Sequence, residues 1–215
     1  MKGDIIIVEP HHQAAAAAIL DRYETLINSS RDPFVFTVAG ESGSGKSETG
    51  KAIADECASR GLNPFVFQQD DYFSLPPRSN DRKRREDISW VGTGEVRLDL
   101  LNAHLVAARK RPAALEKPLV DYEADAVLSE TVDLSRVDVV VAEGTYTTLL
   151  DEVDCRVFIA RNRLETLDSR KTRAREAIEP FIEHVLEIEH EIIAPHRVFA
   201  DVVITRDYEV QFVGD

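Results

Sequence analysis

Cysteine is scarce in this 215-residue sequence, and its two cysteines, Cys57 and Cys155, stand far apart. A disulfide-bonded scaffold needs several cysteine pairs, and a cysteine zinc site needs clustered thiols. The sequence therefore excludes both classes. Because so little cysteine suits a reducing compartment, we expect a cytoplasmic protein.

A surplus of positive charge and long apolar runs are also missing. The 26 lysines and arginines are outnumbered by 39 aspartates and glutamates, so the formal net charge is −13. Such a chain is poorly suited to coat a nucleic acid or an anionic membrane surface, and we predict neither partner. No segment approaches the roughly 18 apolar residues that cross a bilayer. With 43% hydrophobic and 30% charged residues, the composition is typical of one globular domain, residues 1–215.

Short β-branched or aromatic runs alternate with amphipathic stretches, which predicts an α/β fold with a central parallel sheet flanked by helices in three layers. Strands are predicted at 5–8, 34–39, 65–67, 137–142, 156–160 and 202–205. Helices are predicted at 12–28, 98–108, 162–176 and 181–192. Residues 74–94 are predicted to be a long polar loop. Residues 1–30 are predicted to form a strand-helix extension that either packs on the sheet edge or makes a subunit contact. A homo-oligomer is therefore one of the alternatives.

Residues 40–47, GESGSGKS, match the pattern G-x-x-x-x-G-K-[ST] between a predicted strand and a predicted helix. In such a loop, glycines let backbone N–H groups face phosphate oxygens beside the positive end of the helix dipole. We predict an ATP site in which Lys46 bridges the β and γ phosphates and Ser47 offers its hydroxyl to Mg²⁺. The predicted nucleotide-binding residues are Gly40, Glu41, Ser42, Gly43, Ser44, Gly45, Lys46, Ser47 and Glu48. The alternative is a glycine-rich turn that matches by chance.

Two predicted strands end in acidic residues. Glu143 follows the run at 137–142, where a carboxylate can reach the magnesium ion or its water at the carboxyl edge of the sheet. Asp70 follows the run at 65–67, where it could take a proton from an attacking hydroxyl. The alternative for Glu143 is an acid that faces solvent at the end of a strand. The alternative for Asp70 is an acid that terminates a strand in a turn.

Five segments together resemble the uridine kinase and phosphoribulokinase family: GESGSGKS, QQDDYF, VVVAEGTY, SRKTRARE and APHRVFADVVI. The likeness covers roughly residues 34–205. It implies transfer of the γ-phosphoryl group of ATP to a hydroxyl of a small molecule. It also implies that Asp70 serves as base and helps to organise Mg²⁺, that Tyr72 contacts the acceptor, and that Glu143 is the acid of the strand before a glycine.

A basic island at 161–175 interrupts the acidic chain. In the family this region, here 161–178, is a lid whose arginines close over the phosphates, a role that suits the guanidinium group. The resemblance assigns catalysis to Arg170, Arg173 and Arg175 and substrate contact to Lys171. The alternative is a solvated helix face.

The sequence departs from the family where the acceptor would bind. The lid lacks a second arginine-glycine-arginine segment, and the nucleoside-pocket turn corresponds to residues 120–123, with no histidine nearby. Asp121 and Tyr122 remain candidate acceptor contacts, although Tyr122 could equally pack in the core. Five basic residues at 78–85 either are solvated or favour an anionic acceptor.

The leading prediction is a kinase for a nucleoside such as uridine or cytidine. Pantothenate-like and sugar-phosphate acceptors are the first alternatives. A switch ATPase that signals to a partner protein is the alternative from another class.

Overall fold

The computed structural model describes residues 6–162, 165 and 179–214. The helices are α1 (Pro10–Ser29), α2 (Lys46–Ser59), α3 (Pro77–Glu86), α4 (Leu98–Ala108) and α5 (Pro180–Ile193). The strands are β1 (Phe34–Gly40), β2 (Pro64–Gln68), β3 (Leu115–Asp121), β4 (Ala126–Val132), β5 (Val139–Glu143), β6 (Cys155–Ile159), β7 (Val202–Ile204) and β8 (Val210–Phe212).

A six-stranded sheet with the order β2-β5-β1-β6-β7-β8 forms the centre of the fold. Its strand pairs are parallel except β7 with β8, which are antiparallel. Val38 of β1 and Gln68 of β2 both stand opposite Glu143 of β5. The ends of these three strands therefore meet at one edge, and the predicted α/β fold is confirmed.

Helices cover both faces of the sheet because successive residues of a strand point to opposite sides. Phe36 of β1 belongs to one buried cluster with Ile19 of α1 and Ile53 of α2. Val35 belongs to another with Leu101 of α4. All seven residues of β1 are buried, which agrees with its near-continuous apolar sequence. The result is a three-layer arrangement.

The strand predicted at 5–8 is wrong over its described residues, because residues 6–9 are irregular. Pro10, which follows these residues, is the first residue of α1. A proline suits the first turn of a helix, where its fixed φ is already helical and its missing N–H costs nothing.

The loop predicted at 74–94 contains α3. That helix begins at Pro77 and is polar or charged at almost every position, so it has no apolar stripe for periodicity to detect. Two other elements were also missed. The β3–β4 hairpin forms a separate antiparallel pair, and β8 extends the sheet beyond the strand predicted to be last. The helix predicted at 162–176 lies almost wholly outside the described residues.

None of the helices within the described residues is both long and apolar enough to span a membrane.

Candidate active site

The loop after β1 turns sharply into the first residue of α2, Lys46. Gly43 and Gly45 have φ values of 74° and 101°, in the left-handed region where glycine is favoured. Lys46 donates a hydrogen bond across the loop, from Nζ to the carbonyl oxygen of Glu41 at 2.9 Å. The loop thus presents the amino end of a helix and a lysine to the same space, a combination that suits a polyphosphate.

Glu143 lies directly beside this loop because β5 is the neighbour of β1 in the sheet. The hydroxyl oxygen of Ser47 is 3.2 Å from each carboxylate oxygen of Glu143. Burial and, to a lesser extent, the nearby Asp70 carboxylate raise the pKa of Glu143 to about 7, although Lys46 and the Ser47 hydrogen bond oppose the shift. Two neighbouring carboxylates and a hydroxyl are oxygen donors of the kind that Mg²⁺ takes, so these residues fit the ion.

Asp70 lies in a short 3-10 turn, Gln69–Tyr72, that follows β2. Its side chain is exposed and borders the same cavity as Lys46 and Ser47. The preceding residue anchors the turn, since Gln69 Oε1 accepts a hydrogen bond from the backbone N–H of Tyr146 at 2.7 Å. A Cβ added to Gly144 would lie 2.2 Å from the Cβ of Gln69, so the glycine after Glu143 allows the two segments to approach.

The cavity has a volume of about 450 Å³ and separates the phosphate-binding loop from α3 and α5. On the far side, Arg84 is largely buried and forms ion pairs with Glu95 and Glu189. Arg85 pairs with Asp81 and with Glu179. Phe73 and Tyr122 add aromatic surface to the lining.

The segment QQDDYF divides between the cavity and the interior. Tyr72 is fully buried, with its hydroxyl 2.8 Å from Nδ1 of His104, so the predicted acceptor contact is corrected to a core position. Asp71 is also buried and accepts a hydrogen bond from Lys117 Nζ at 3.0 Å. The predicted contact Asp121 is corrected likewise, because it is buried, accepts from the backbone N–H of Ala124 in the hairpin turn and does not line the cavity.

Two charged loop-region residues, Glu41 and Glu48, are buried. Glu41 Oε1 lies 2.6 Å from Nδ1 of His190 on α5. No local sequence pattern marks this contact, because Glu41 and His190 are 149 positions apart. Glu189 was missed for a related reason, because its partner Arg84, one of the basic residues at 78–85, is distant in sequence.

The predicted lid residues Arg170, Lys171, Arg173 and Arg175 lie outside the described residues. Arg161, at the start of the basic island, is described, and its guanidinium lies over the ring of Tyr208 at 5.3 Å from the centroid.

Comparisons of sequence and of structure both find kinases that are similar to this chain. A model of the Zeta toxin family matches residues 14–101. A uridine kinase of Ureaplasma urealyticum is 30% identical over 152 residues, which cover 67% of this chain and 70% of the relative. A uridine kinase of Listeria innocua is 27% identical over 187 residues, covering 81% of this chain and 88% of the relative. The solved structure of D-glycerate 3-kinase from Cryptococcus neoformans has a TM-score of 0.65 at 15% identity, covering 96% of this chain and 98% of that one.

Proposed function

Because the chain belongs to the uridine kinase family of P-loop kinases, we propose that it transfers the γ-phosphoryl group of ATP to a hydroxyl of a neutral, polyhydroxylated small molecule. A nucleoside such as uridine or cytidine is the first acceptor to test. The observation that carries the proposal is the exposed carboxylate of Asp70, which borders the same cavity as Lys46 and Ser47.

In the proposed reaction, the acceptor hydroxyl oxygen forms a bond to the γ-phosphorus, and the bond from that phosphorus to the β–γ bridging oxygen breaks. The hydroxyl proton passes to Asp70, and ADP leaves. Lys46 and the loop amides hold the phosphates. Lys46 also neutralises charge that develops on the transferring group.

Ser47, Asp70 and Glu143 are the residues that would hold Mg²⁺. When bound, the ion supplies positive charge to the phosphate oxygens. Ser47 contributes a neutral hydroxyl, and the carboxylates offset the positive charge of the ion. Glu143 is held against Ser47, so it is preorganised for this role.

The charges on the acceptor side favour a neutral acceptor over a phosphorylated one. Arg84 and Arg85 are each paired with two carboxylates. The guanidinium of Arg78 donates to the carbonyl oxygen of Glu123 at 2.7 Å. An anionic acceptor would have to displace these partners, at a cost in desolvation and lost pairing. Hydroxyl groups can instead donate to the carboxylates of the lining.

A test incubates the protein with ATP, Mg²⁺ and separate acceptors: uridine, cytidine, fructose, pantothenate, D-glycerate and ribose 5-phosphate. We expect a phosphorylated neutral acceptor by mass spectrometry, with ADP released in equal amount.

Asp70→Asn should lower turnover by about 100-fold or more while ATP binding persists, because general base catalysis is lost. Asp55→Asn, at an exposed site on α2, is the control.

Hydrolysis of ATP at one rate with every acceptor would contradict the proposal and favour a switch ATPase. Full activity of Asp70→Asn would remove that residue from the mechanism.

A further inference from the structure

Tyr208, in the turn between β7 and β8, contacts the outer side of the phosphate-binding loop. Its hydroxyl donates a hydrogen bond to the carbonyl oxygen of Ser44 at 3.0 Å. A Cβ added to Gly45 would lie 2.2 Å from that hydroxyl oxygen. The loop and the turn are therefore packed as closely as a glycine permits. Tyr208 itself has a φ of 63°, a strained value for a residue with a side chain.

His12, in the first turn of α1, contacts Tyr208 from the side of that helix. Its Nδ1 accepts from the backbone N–H of Glu9 at 3.0 Å, and its Nε2 lies 3.2 Å from the Tyr208 hydroxyl oxygen. Because a tyrosine has one O–H proton, and Ser44 receives it, the proton between His12 and Tyr208 must come from Nε2. Burial and neighbouring His11 lower the pKa of His12 to about 4, which keeps Nδ1 free to accept.

The chain of hydrogen bonds fixes one peptide group of the loop. The carbonyl of Ser44 and the N–H of Gly45 belong to the same planar, trans peptide, so they point in opposite directions. Holding the Ser44 oxygen outward on Tyr208 therefore turns the Gly45 N–H to the other side of the loop. α1 can hold this arrangement firmly, because Ala16 and Ile19 are buried in one cluster with Ile53 of α2.

We propose that His12 and Tyr208 are positioning residues for the nucleotide: they orient the Ser44–Gly45 peptide so that its N–H faces the bound phosphates. This inference rests on the proposed ATP site and gives the amino-terminal segment a role in it. Neither residue touches the reacting atoms in this scheme. Their loss should weaken nucleotide binding and leave chemistry at saturating ATP nearly unchanged.

The first test is Tyr208→Phe, which keeps the ring and removes the hydroxyl. We expect the Kd of ATP with Mg²⁺, measured by calorimetry, to rise about three- to tenfold, because the hydrogen bonds of the hydroxyl with Ser44, His12 and Arg161 are lost. The KM for ATP should rise in step, while kcat and the KM of the acceptor stay unchanged. Tyr23→Phe is the matched control on α1, because Tyr23 packs against Phe34 and Phe36 in the sheet core.

The second test uses the two amides that mimic histidine. In His12→Gln the side-chain N–H₂ can reach the position of Nε2 and still donate to Tyr208, whereas in His12→Asn it cannot. We expect His12→Gln to keep most of the ATP affinity. His12→Asn should lose affinity, but less than Tyr208→Phe, because the hydrogen bond from Tyr208 to Ser44 remains.

Equal ATP affinity in wild type, Tyr208→Phe and His12→Asn would overturn the inference and leave the proposed function intact. The inference would also be overturned if Tyr208→Phe and His12→Asn lowered thermal stability and changed kcat, the KM of ATP and the KM of the acceptor to the same extent. That pattern would mean that the two residues have a structural role alone. A wild-type protein that binds no ATP would overturn both proposals.

Discussion

Glu143 and Asp70 bring two carboxylates to the end of one phosphate-binding loop, and only one of them is exposed. Asp70 can meet a substrate from the cavity, whereas Glu143 is 4% exposed and held by Ser47. Their mutual repulsion and the burial of Glu143 both disfavour its ionised form. A bound divalent cation would remove this penalty, so the same pair can be unfavourable for the empty protein and favourable for the loaded one.

This arrangement predicts how stability depends on pH. Because the pKa of Glu143 is raised from 4.5 to about 7, the folded state keeps a proton that the unfolded chain has lost. Although the lowered pKa of His12 acts in the opposite direction, the contribution of Glu143 to the free energy of unfolding of the metal-free protein should therefore fall as pH rises between these two values. Glu143→Gln removes this dependence, so the variant should exceed wild type by about 1–3 kcal/mol near pH 8. Urea unfolding at both ends of this range measures the difference.

Glu24→Gln, at an exposed position on α1, controls for the loss of one negative charge. Mg²⁺ should then stabilise wild type more than Glu143→Gln. A stability difference between Glu143→Gln and wild type that stays constant over this pH range would show that Glu143 is ionised in the folded state throughout, contrary to the argument.

Single residues show what sequence can predict about the site. Lys46, Ser47, Asp70 and Glu143 were predicted from a local motif and from strand ends, and the structure brings all four to one cavity. Tyr72 was misassigned because the motif QQDDYF predicts the position of Asp70 at the strand end but not the direction in which the side chain of Tyr72 points. A sequence cannot give that direction for a residue in a 3-10 turn, where side chains follow neither the strand nor the α-helix period.

At the scale of elements, the β3–β4 hairpin is fastened to the active-site turn through a buried ion pair. Asp71 accepts from Lys117 Nζ at 3.0 Å and from the backbone N–H of Val120 at 2.9 Å. At the hairpin turn, Asp125 accepts from the backbone N–H of Arg78 at 2.7 Å, next to the start of α3. Asp71 thus links the turn that carries Asp70 to the hairpin that carries Tyr122. Asp125 in turn links that hairpin to the helix across the cavity.

Lys117→Met should destabilise the protein by about 3–5 kcal/mol, because it leaves the buried Asp71 carboxylate without its charged partner. The KM of the acceptor should rise more than the KM of ATP, since the hairpin lies on the acceptor side. Urea unfolding and steady-state kinetics measure the two effects.

Lys51→Met is the matched control, because Lys51 forms an exposed pair with Asp55 and should cost less than about 1 kcal/mol. Equal destabilisation by both substitutions would mean that the Asp71 pair contributes no more than a surface ion pair.

Elements that were missed share a physical cause. α3 is helical without an apolar face, and it is held by pairs such as Arg84 with Glu189, which are 105 positions apart. β8 has three residues and depends on β7 for its hydrogen bonds. In both cases long-range contacts stabilise the element, whereas the buried strands β1 and β5 are apolar enough for their own sequences to predict them.

At the scale of the whole molecule, the parallel sheet explains why distant segments meet. β1 supplies the phosphate-binding loop, β2 leads to Asp70, the proposed base, and β5 ends in the buried Glu143, all at one edge. α1 and the β7–β8 turn support the loop from outside. Nucleotide binding should therefore stabilise the fold as a unit, and the two cysteines can report this.

Cys57 lies in α2 and Cys155 in β6, both fully buried, and burial raises the pKa of each thiol to about 12. Because the thiolate is the reactive form, a thiol reagent should label them only when the protein unfolds. We expect both to react at one slow rate, and a nonhydrolysable ATP analogue with Mg²⁺ at one hundred times its Kd to slow both about 100-fold. Ser59→Cys, on the exposed end of α2, should react quickly with or without the analogue. If Cys57 reacts faster than Cys155 and the analogue protects only Cys57, α2 opens by itself, and nucleotide binding stabilises that helix rather than the whole fold.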